Sequence, residues 1–233
     1  MYILHTMSKQ KTKTQGRIQF AILATDIVFF TIKDHQLHVL LGKVEANPFY
    51  PNHWAVIGGL IKPLETAEIA ADRLLRDKAG LSSIYKEQLC TFSRIDRDPR
   101  GRVVSVAYLG VGFDGGKKEG KGTFETRWCP LGEVPHLAYD HNEMVSVALE
   151  RLRSKIMYTN IARYLLPPQF TLSELQRAYE IVLNKKIDKR NFRKKILASR
   201  IIKATRHIRK EGIMRPAKLF TFIADDIKSI KML

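Results

Sequence analysis

The chain has 233 residues, is 45% hydrophobic, and carries 40 Lys and Arg against 23 Asp and Glu, a formal net charge of +17. The apolar share excludes general disorder, and the length suits two domains or one of generous size. Two cysteines, Cys90 and Cys129, sit at no metal or disulfide spacing, and the longest apolar run, Phe20 to Ile32, is broken by Asp26 and too short to span a bilayer, so the chain is expected to be soluble, cytoplasmic and without a membrane partner.

Met1 to Gly16 is polar and rich in Lys and Thr, and is expected to be a mobile tail. Arg17 to Ile32 is β-branched and aromatic and predicts a strand; Gln36 to Gly42 predicts its partner, with Lys33, Asp34 and His35 as the turn. Asn47 to Asn52, with two prolines, is a loop that leads to an apolar run, Trp54 to Ile57, and then to the paired glycines Gly58 and Gly59. The stretch to Gly80 reads as strand, loop and helix, with Ala67, Ala70, Ala71, Leu74 and Leu75 at helical spacing and Gly80 as the stop.

That stretch resembles a Nudix box, whose pattern is G-x5-E-x7-R-E-U-x-E-E-x-G-U with U aliphatic. Gly59, Glu65, Arg73, Leu75, Gly80 and Leu81 fall on pattern positions, but Leu74 replaces one glutamate and Asp77 and Lys78 replace the glutamate pair. Nudix hydrolysis needs divalent cations held by several carboxylates, and Lys78 puts an ammonium where a ligand is required. The resemblance therefore implies a Nudix domain that holds a diphosphate without cutting it, with no catalytic residue and no metal ligand.

After the box, Gln88 to Ile95 and Val103 to Phe113 predict strands joined by Arg94 to Arg102, a loop with Pro99 and Gly101. On composition alone this is a charged hairpin tip. Beside a Nudix pocket its arginines become phosphate contacts, so the expected ligand set is Gly58, Gly59, Arg73, Arg94, Arg97, Arg100 and Arg102. Gly115 to Gly122 is a Lys-rich loop, Phe124 to Trp128 a last strand, and Trp54, Phe124 and Trp128 are core candidates. A helix begins near Asp140 or Asn142, and a second helical run, Tyr158 to Leu166, stops at Pro167. The expected division is residues 17–155 and 156–233.

Charge supports that division. Residues 1–150 carry 19 basic against 17 acidic side chains, and residues 151–233 carry 21 against 6, so the second part should meet a polyanion, with nucleic acid favoured over membrane. Thr171 and Glu174 form a capping box for a helix with Leu172, Leu175, Ala178, Tyr179 and Val182 on its buried side. Asp188 caps a second helix to Ser199, on which Phe192 and Ile196 face inward while Lys189, Arg190, Asn191, Arg193 and Lys194 supply DNA contacts. Two strands, Ile201 to His207 and Ala217 to Ile223, flank IRKEGIMRP and complete a winged helix whose Arg206, Arg209, Lys210 and Arg215 reach phosphates.

The segments RDPRGRVVSVAY, LAYDH, FTLSELQRAYE, DKRNFRKKI and RPAKLF, in this order after the worn box, resemble the NrtR family of Nudix-related transcriptional regulators of NAD metabolism. The resemblance implies an α+β chain: a mixed sheet sandwiched by helices that senses ligand and dimerises, then a winged helix. It also implies a homodimeric repressor of palindromic operator DNA, needing no cofactor and released by ADP-ribose or a related metabolite. The competing reading is an active hydrolase of ADP-ribose or another nucleoside diphosphate with an accessory basic domain; Leu74 and Lys78 speak against it.

Overall fold

Strand β1 (Ile22–Lys33) is buried on both faces because a helix covers each side of the sheet it centres. Strands β2 (Gln36–Lys43), β3 (Trp54–Leu60), β4 (Tyr85–Phe92), β5 (Val103–Val111) and β6 (Thr126–Pro130) complete that sheet in the order β4-β5-β1-β3-β2-β6. The β1–β5 pair is parallel and the other pairs are antiparallel, so the sheet is mixed. Successive β1 side chains point to opposite faces. Ile27 and Phe29 pack with Leu74 and Leu75 of helix α1 (Ala67–Ala79), and Val28 and Phe30 with Met144 and Ala148 of helix α2 (His141–Tyr158).

The computed structural model describes residues 20–45, 47–81, 85–113, 124–210, 216–224 and 226–229. The expected tail 1–16, the start of the first strand at Arg17, the Lys-rich loop 115–122, and Gly212 and Arg215 of the expected wing tip lie outside them. Asp34 and His35 make the β1–β2 turn with positive φ at both residues, the geometry that lets a two-residue hairpin keep the strand twist. Gly58 and Gly59 belong to β3, and so correct the expectation of a loop there. A Cβ on Gly58 would lie 1.7 Å from Asp26 Oδ1, and one on Gly59 2.9 Å from Leu74 Cδ2, so the glycines let β3 approach β1 and α1 closely.

Helix α1 starts at Thr66, whose hydroxyl accepts the Ile69 N–H, and ends at Gly80 in the left-handed conformation. Helix α2 runs to Tyr158, so the division expected at residue 155 falls in its last turn. The run after it is one short 3-10 turn, Ile161–Leu165, where a helix was expected to fill Tyr158 to Leu166. Thr159 takes an extended conformation, and Pro167 and Pro168 close off continuation.

Helix α3 (Leu172–Leu183) has the capping box in full: the Thr171 hydroxyl accepts the Glu174 N–H, and the Glu174 carboxylate accepts the Thr171 N–H. Asn184 ends it in the left-handed region, and Asp188 caps helix α4 (Lys189–Ala198) through the Asn191 N–H. Strands β7 (Ile202–Arg209) and β8 (Ala217–Phe222) form the hairpin beside these helices, in the order of a winged helix. Leu152 and Ile156 of α2 and Leu175, Tyr179, Phe192 and Ile196 belong to one continuous apolar core, so α2 ties the sheet to the winged helix. Among the described residues no helix is long and apolar enough to cross a membrane.

Overpacking a filled interior costs about 1–3 kcal/mol. Gly58→Ala has to displace the buried Asp26 carboxylate, and is expected to lower unfolding stability by at least that range in urea melts followed by circular dichroism.

Candidate functional site

A cleft of about 290 Å³ opens between β3, the end of β2, the last turn of α1 and the β4–β5 loop. Its lining includes Gly58, Gly59, Arg97 and Arg100 from the expected ligand set, together with Asp26, Lys43, Lys78, Asp98, Tyr139 and His141. Arg73, Arg94 and Arg102 are not among the lining residues, and each has a structural task instead.

Arg73 donates to both oxygens of Glu65, at 2.5 and 2.9 Å, and to the Leu60 carbonyl at 3.1 Å, stapling the loop after β3 onto α1. That pairing holds the Glu65 carboxyl down at about 2. Arg94 pairs at the surface with Asp96 and Glu143, and Arg102 donates to the carbonyls of Ser93 and Arg94, bracing the loop from outside. Arginines close in sequence thus diverge in space, because the loop turns at Asp98 to Gly101 and each guanidinium finds a different acceptor.

The cleft floor is a buried polar cluster. Arg97 donates to both carboxylate oxygens of Asp140 at 2.8 and 3.0 Å, with Asp26 at 3.5 Å. Asp26 in turn accepts the Ser105 hydroxyl at 2.5 Å. Asp140 occupies the first position before α2, yet its side chain bonds no α2 N–H; the expected capping function is given up to Arg97. The other cap candidate, Asn142, uses its carbonyl oxygen to accept the Leu137 N–H. His141 follows, with Nδ1 accepting the Val56 N–H at 3.2 Å, so the ring is neutral there; burial pushes its pKa below the ordinary value against the opposing pull of Asp26 and Asp140. Toward the mouth, Arg100 folds onto Asp98 through Nε and Nη2 and lies 5.5 Å from the ring of Tyr139, itself held at φ 57°.

Lys78 reaches in from α1. Its Nζ donates to the Gly58 carbonyl at 2.6 Å and stands 4.4 Å from the centre of the Phe124 ring. Burial lowers its pKa, with Asp26 acting in the opposite direction. A divalent ion of the kind Nudix hydrolysis uses takes several oxygen ligands. Here Glu65 is engaged by Arg73, Asp77 by Arg76 at 3.4 Å and the neighbouring Asp72 by Lys86 at 2.8 Å, and the other two glutamate positions hold Leu74 and the Lys78 ammonium. The residues of the box do not fit such an ion, and among the described residues no three His, Cys, Asp or Glu side chains gather to hold one.

The second surface is the outer side of α4 and β7. Lys189, Arg190, Asn191 and Lys194 are exposed, while Phe192 and Ile196 are buried under them. Arg193 leans back, with Nη2 3.3 Å from the Ser173 hydroxyl of α3, and is half-buried rather than pointing away. On β7, Arg206 is exposed, as is Lys210 just beyond the strand. Arg209 pairs with Glu174 at 2.6 Å and so fastens the wing to α3. Sequence reasoning passed over Asp26, Asp98, Tyr139 and Asp140 as site residues. Asp26 alone left a signal, a charge inside an apolar strand, which is seldom buried without a partner.

A sandwiched mixed sheet with this box, joined through one helix to a winged helix with a basic exposed recognition helix, defines the class of Nudix-related DNA-binding regulators. Comparison with known families agrees: residues 22–148 match the NUDIX domain and residues 162–222 the NrtR DNA-binding winged helix domain. The chain is 31% identical over 210 residues to the ADPR responsive transcriptional repressor NtrR of Acinetobacter baylyi, covering 88% of this chain and 83% of the relative. Among solved structures, NrtR of Shewanella oneidensis complexed with a 27mer DNA is 32% identical with a TM-score of 0.74, over 86% of this chain and 93% of that one. The NUDIX domain of the same Shewanella protein, complexed with ADP ribose, is 31% identical with a TM-score of 0.53, over 63% of this chain and 99% of that one. The chain belongs to the NrtR family.

The His141 ring carries a pH signature. Its folded pKa lies below the ordinary 6.5, so as pH falls below that value the unfolded chain takes up a proton that the folded chain refuses, and stability declines. Urea melts at pH 7.5 and at about pH 5.5 should show this loss, and His141→Gln, which does not titrate, should flatten it.

Proposed function

We propose that this chain is an ADP-ribose-responsive transcriptional repressor: its winged helix binds operator DNA, and its Nudix cleft senses the metabolite without hydrolysing it. The observation that carries the reading is the joining, through α2, of a phosphate-suited cleft with no fitting metal set to a basic, exposed recognition helix. The relatives' own ligands, a 27mer DNA and ADP ribose, are those that these two surfaces suit by charge. A repressor of this kind acts where the chromosome is, in the cytoplasm.

Ligand-binding roles fall to Gly58, Gly59, Arg97 and Arg100. The glycines bring backbone close to the ligand, and the arginines offer bidentate donors to phosphate. Arg190, Asn191 and Lys194 read bases and Arg206 and Lys210 hold phosphates, with Lys189 at the helix start. One winged helix reads one half-site, so a homodimer presents two of them about 34–36 Å apart, or a multiple of that, to a palindrome.

The switch follows from the cleft floor. A diphosphate that draws Arg97 or Arg100 competes with Asp140 or Asp98, and Asp140 sits at the head of α2, whose far end packs on the winged helix. Moving such an equilibrium from 1:99 to 99:1 takes about 5.5 kcal/mol of differential binding, within reach of several charge-assisted hydrogen bonds.

The decisive experiment is a pair of titrations, ADP-ribose into the full chain with and without operator DNA. ADP-ribose should release the DNA, and DNA should weaken ADP-ribose by the same factor. Equal ligand affinity in both titrations would overturn the reading, as would turnover of ADP-ribose in Mg²⁺ or Mn²⁺ that Glu65→Gln abolishes. On the DNA side, Arg190→Ala should cost about 1–3 kcal/mol on operator alone. Arg206→Ala or Lys210→Ala should weaken all sequences, and each should reduce the salt slope by about 0.9, as read by fluorescence anisotropy.

A further inference from the structure

Resting on the reading of the cleft as an effector site, we propose that Lys78 is a built-in replacement for the divalent cation of a diphosphate site, so that this chain binds its diphosphate effector without metal. Among the described residues four cationic side chains line the cleft, and they are not equally available. Arg97 is held by Asp140 and Asp26, Arg100 by Asp98, and Lys43 stands 4.9 Å from the centre of the Trp54 ring. Lys78 differs from the two arginines because its hydrogen bond goes to a neutral acceptor, the Gly58 carbonyl, and from Lys43 because that bond, together with the face of Phe124, fixes its ammonium in the cleft. An ammonium has three donors, and one is spent on that carbonyl.

The group is also fixed in place. Lys78 lies in the last turn of α1, where the helix dipole favours a cation, and its ammonium is anchored on the Gly58 carbonyl of β3. A side chain already ordered loses little freedom when an anion arrives, and a partly buried charge interacts with it more strongly than a solvated one. Metal ions in diphosphate sites neutralise phosphate charge; here that charge is met by an ammonium tethered to the backbone carbonyl beside which the ligand would lie. The ligand class is accordingly a diphosphate ester carrying full negative charge, and not a neutral sugar.

The test is calorimetry on the full chain with two probes, ADP-ribose in EDTA and in Mg²⁺, and inorganic pyrophosphate in EDTA. The expected result is the same ADP-ribose affinity in both buffers. Lys78→Met should weaken both probes by about tenfold or more with no rescue by Mg²⁺, a loss typical of a charge-assisted hydrogen bond. Lys78→Glu should weaken ADP-ribose further in EDTA and regain affinity when Mg²⁺ is added. Wild-type affinity that rises about tenfold with Mg²⁺, or Lys78→Met that binds like wild type, would overturn the proposal. Should a variant fail to fold in a thermal melt, the wild-type comparison of buffers decides alone. Pyrophosphate bound in EDTA and lost in Lys78→Met, with no binding of ADP-ribose, would sink the functional reading and leave the role of Lys78 standing; neither probe binding in EDTA would sink the role of Lys78.

Discussion

The bidentate pair between Arg97 and Asp140 is the interaction on which the arrangement of this molecule depends. Both side chains are buried, at 3% and 2% exposure, so neither charge could stay there without the other. Removing one partner of such a pair costs about 3–5 kcal/mol, because the survivor is left uncompensated in a poorly polarisable interior. The pair joins the β4–β5 loop to the residue just before α2 and stands against Asp26 on the central strand. Three elements therefore share one electrostatic centre, and a ligand that alters it acts on all three.

Helix α2 gives that centre a reach. Eighteen residues of α-helix extend about 27 Å at 1.5 Å per residue, enough to begin under the cleft and end against the winged helix. Its apolar side is buried along the whole length, through Met144, Val145, Ala148, Leu152 and Ile156. Close-packed interiors repack between discrete arrangements more readily than they deform, which is the physical basis of the switch proposed through α2. Further ties support the junction: Arg153 of α2 donates to the Val182 carbonyl of α3 and the His35 ring meets Arg177 of α3, while Lys155 fastens α2 to Glu87 of β4.

The worn Nudix box shows how residues of a catalytic pattern are redeployed. Glu65 and Arg73 remain, but spend their charges on each other and fix the loop. Leu74 takes a glutamate position and fills the space against Gly59. Lys78 takes another and bonds the Gly58 carbonyl. What remains is a cleft whose cations are organised by protein groups, a design suited to sensing an anion. The winged helix shows the same division of labour, with Arg209 and Arg193 turned to bracing while Arg190, Lys194 and Arg206 stay exposed.

By itself the sequence determined the elements whose cause is local. The Thr171–Glu174 capping box, the Asp188 cap, the Gly80 stop and the β-branched and aromatic run of β1 each follow from residues within a few positions of one another, and the motif with the basic last third was enough to name the architecture. Tertiary structure alone decided which charges face the cleft. Arg97 enters it because Asp140, 43 positions later, lies beneath it, while Arg73 is kept out by Glu65 and Arg102 by the carbonyls of its own loop. It likewise turned Gly58 and Gly59 from a presumed loop into strand, since the close approach of Asp26 and Leu74 that demands glycine there involves chain segments far apart in sequence. Spacing along a chain records what a helix or a cap needs; the partner of a buried charge is chosen by the fold that brings it there.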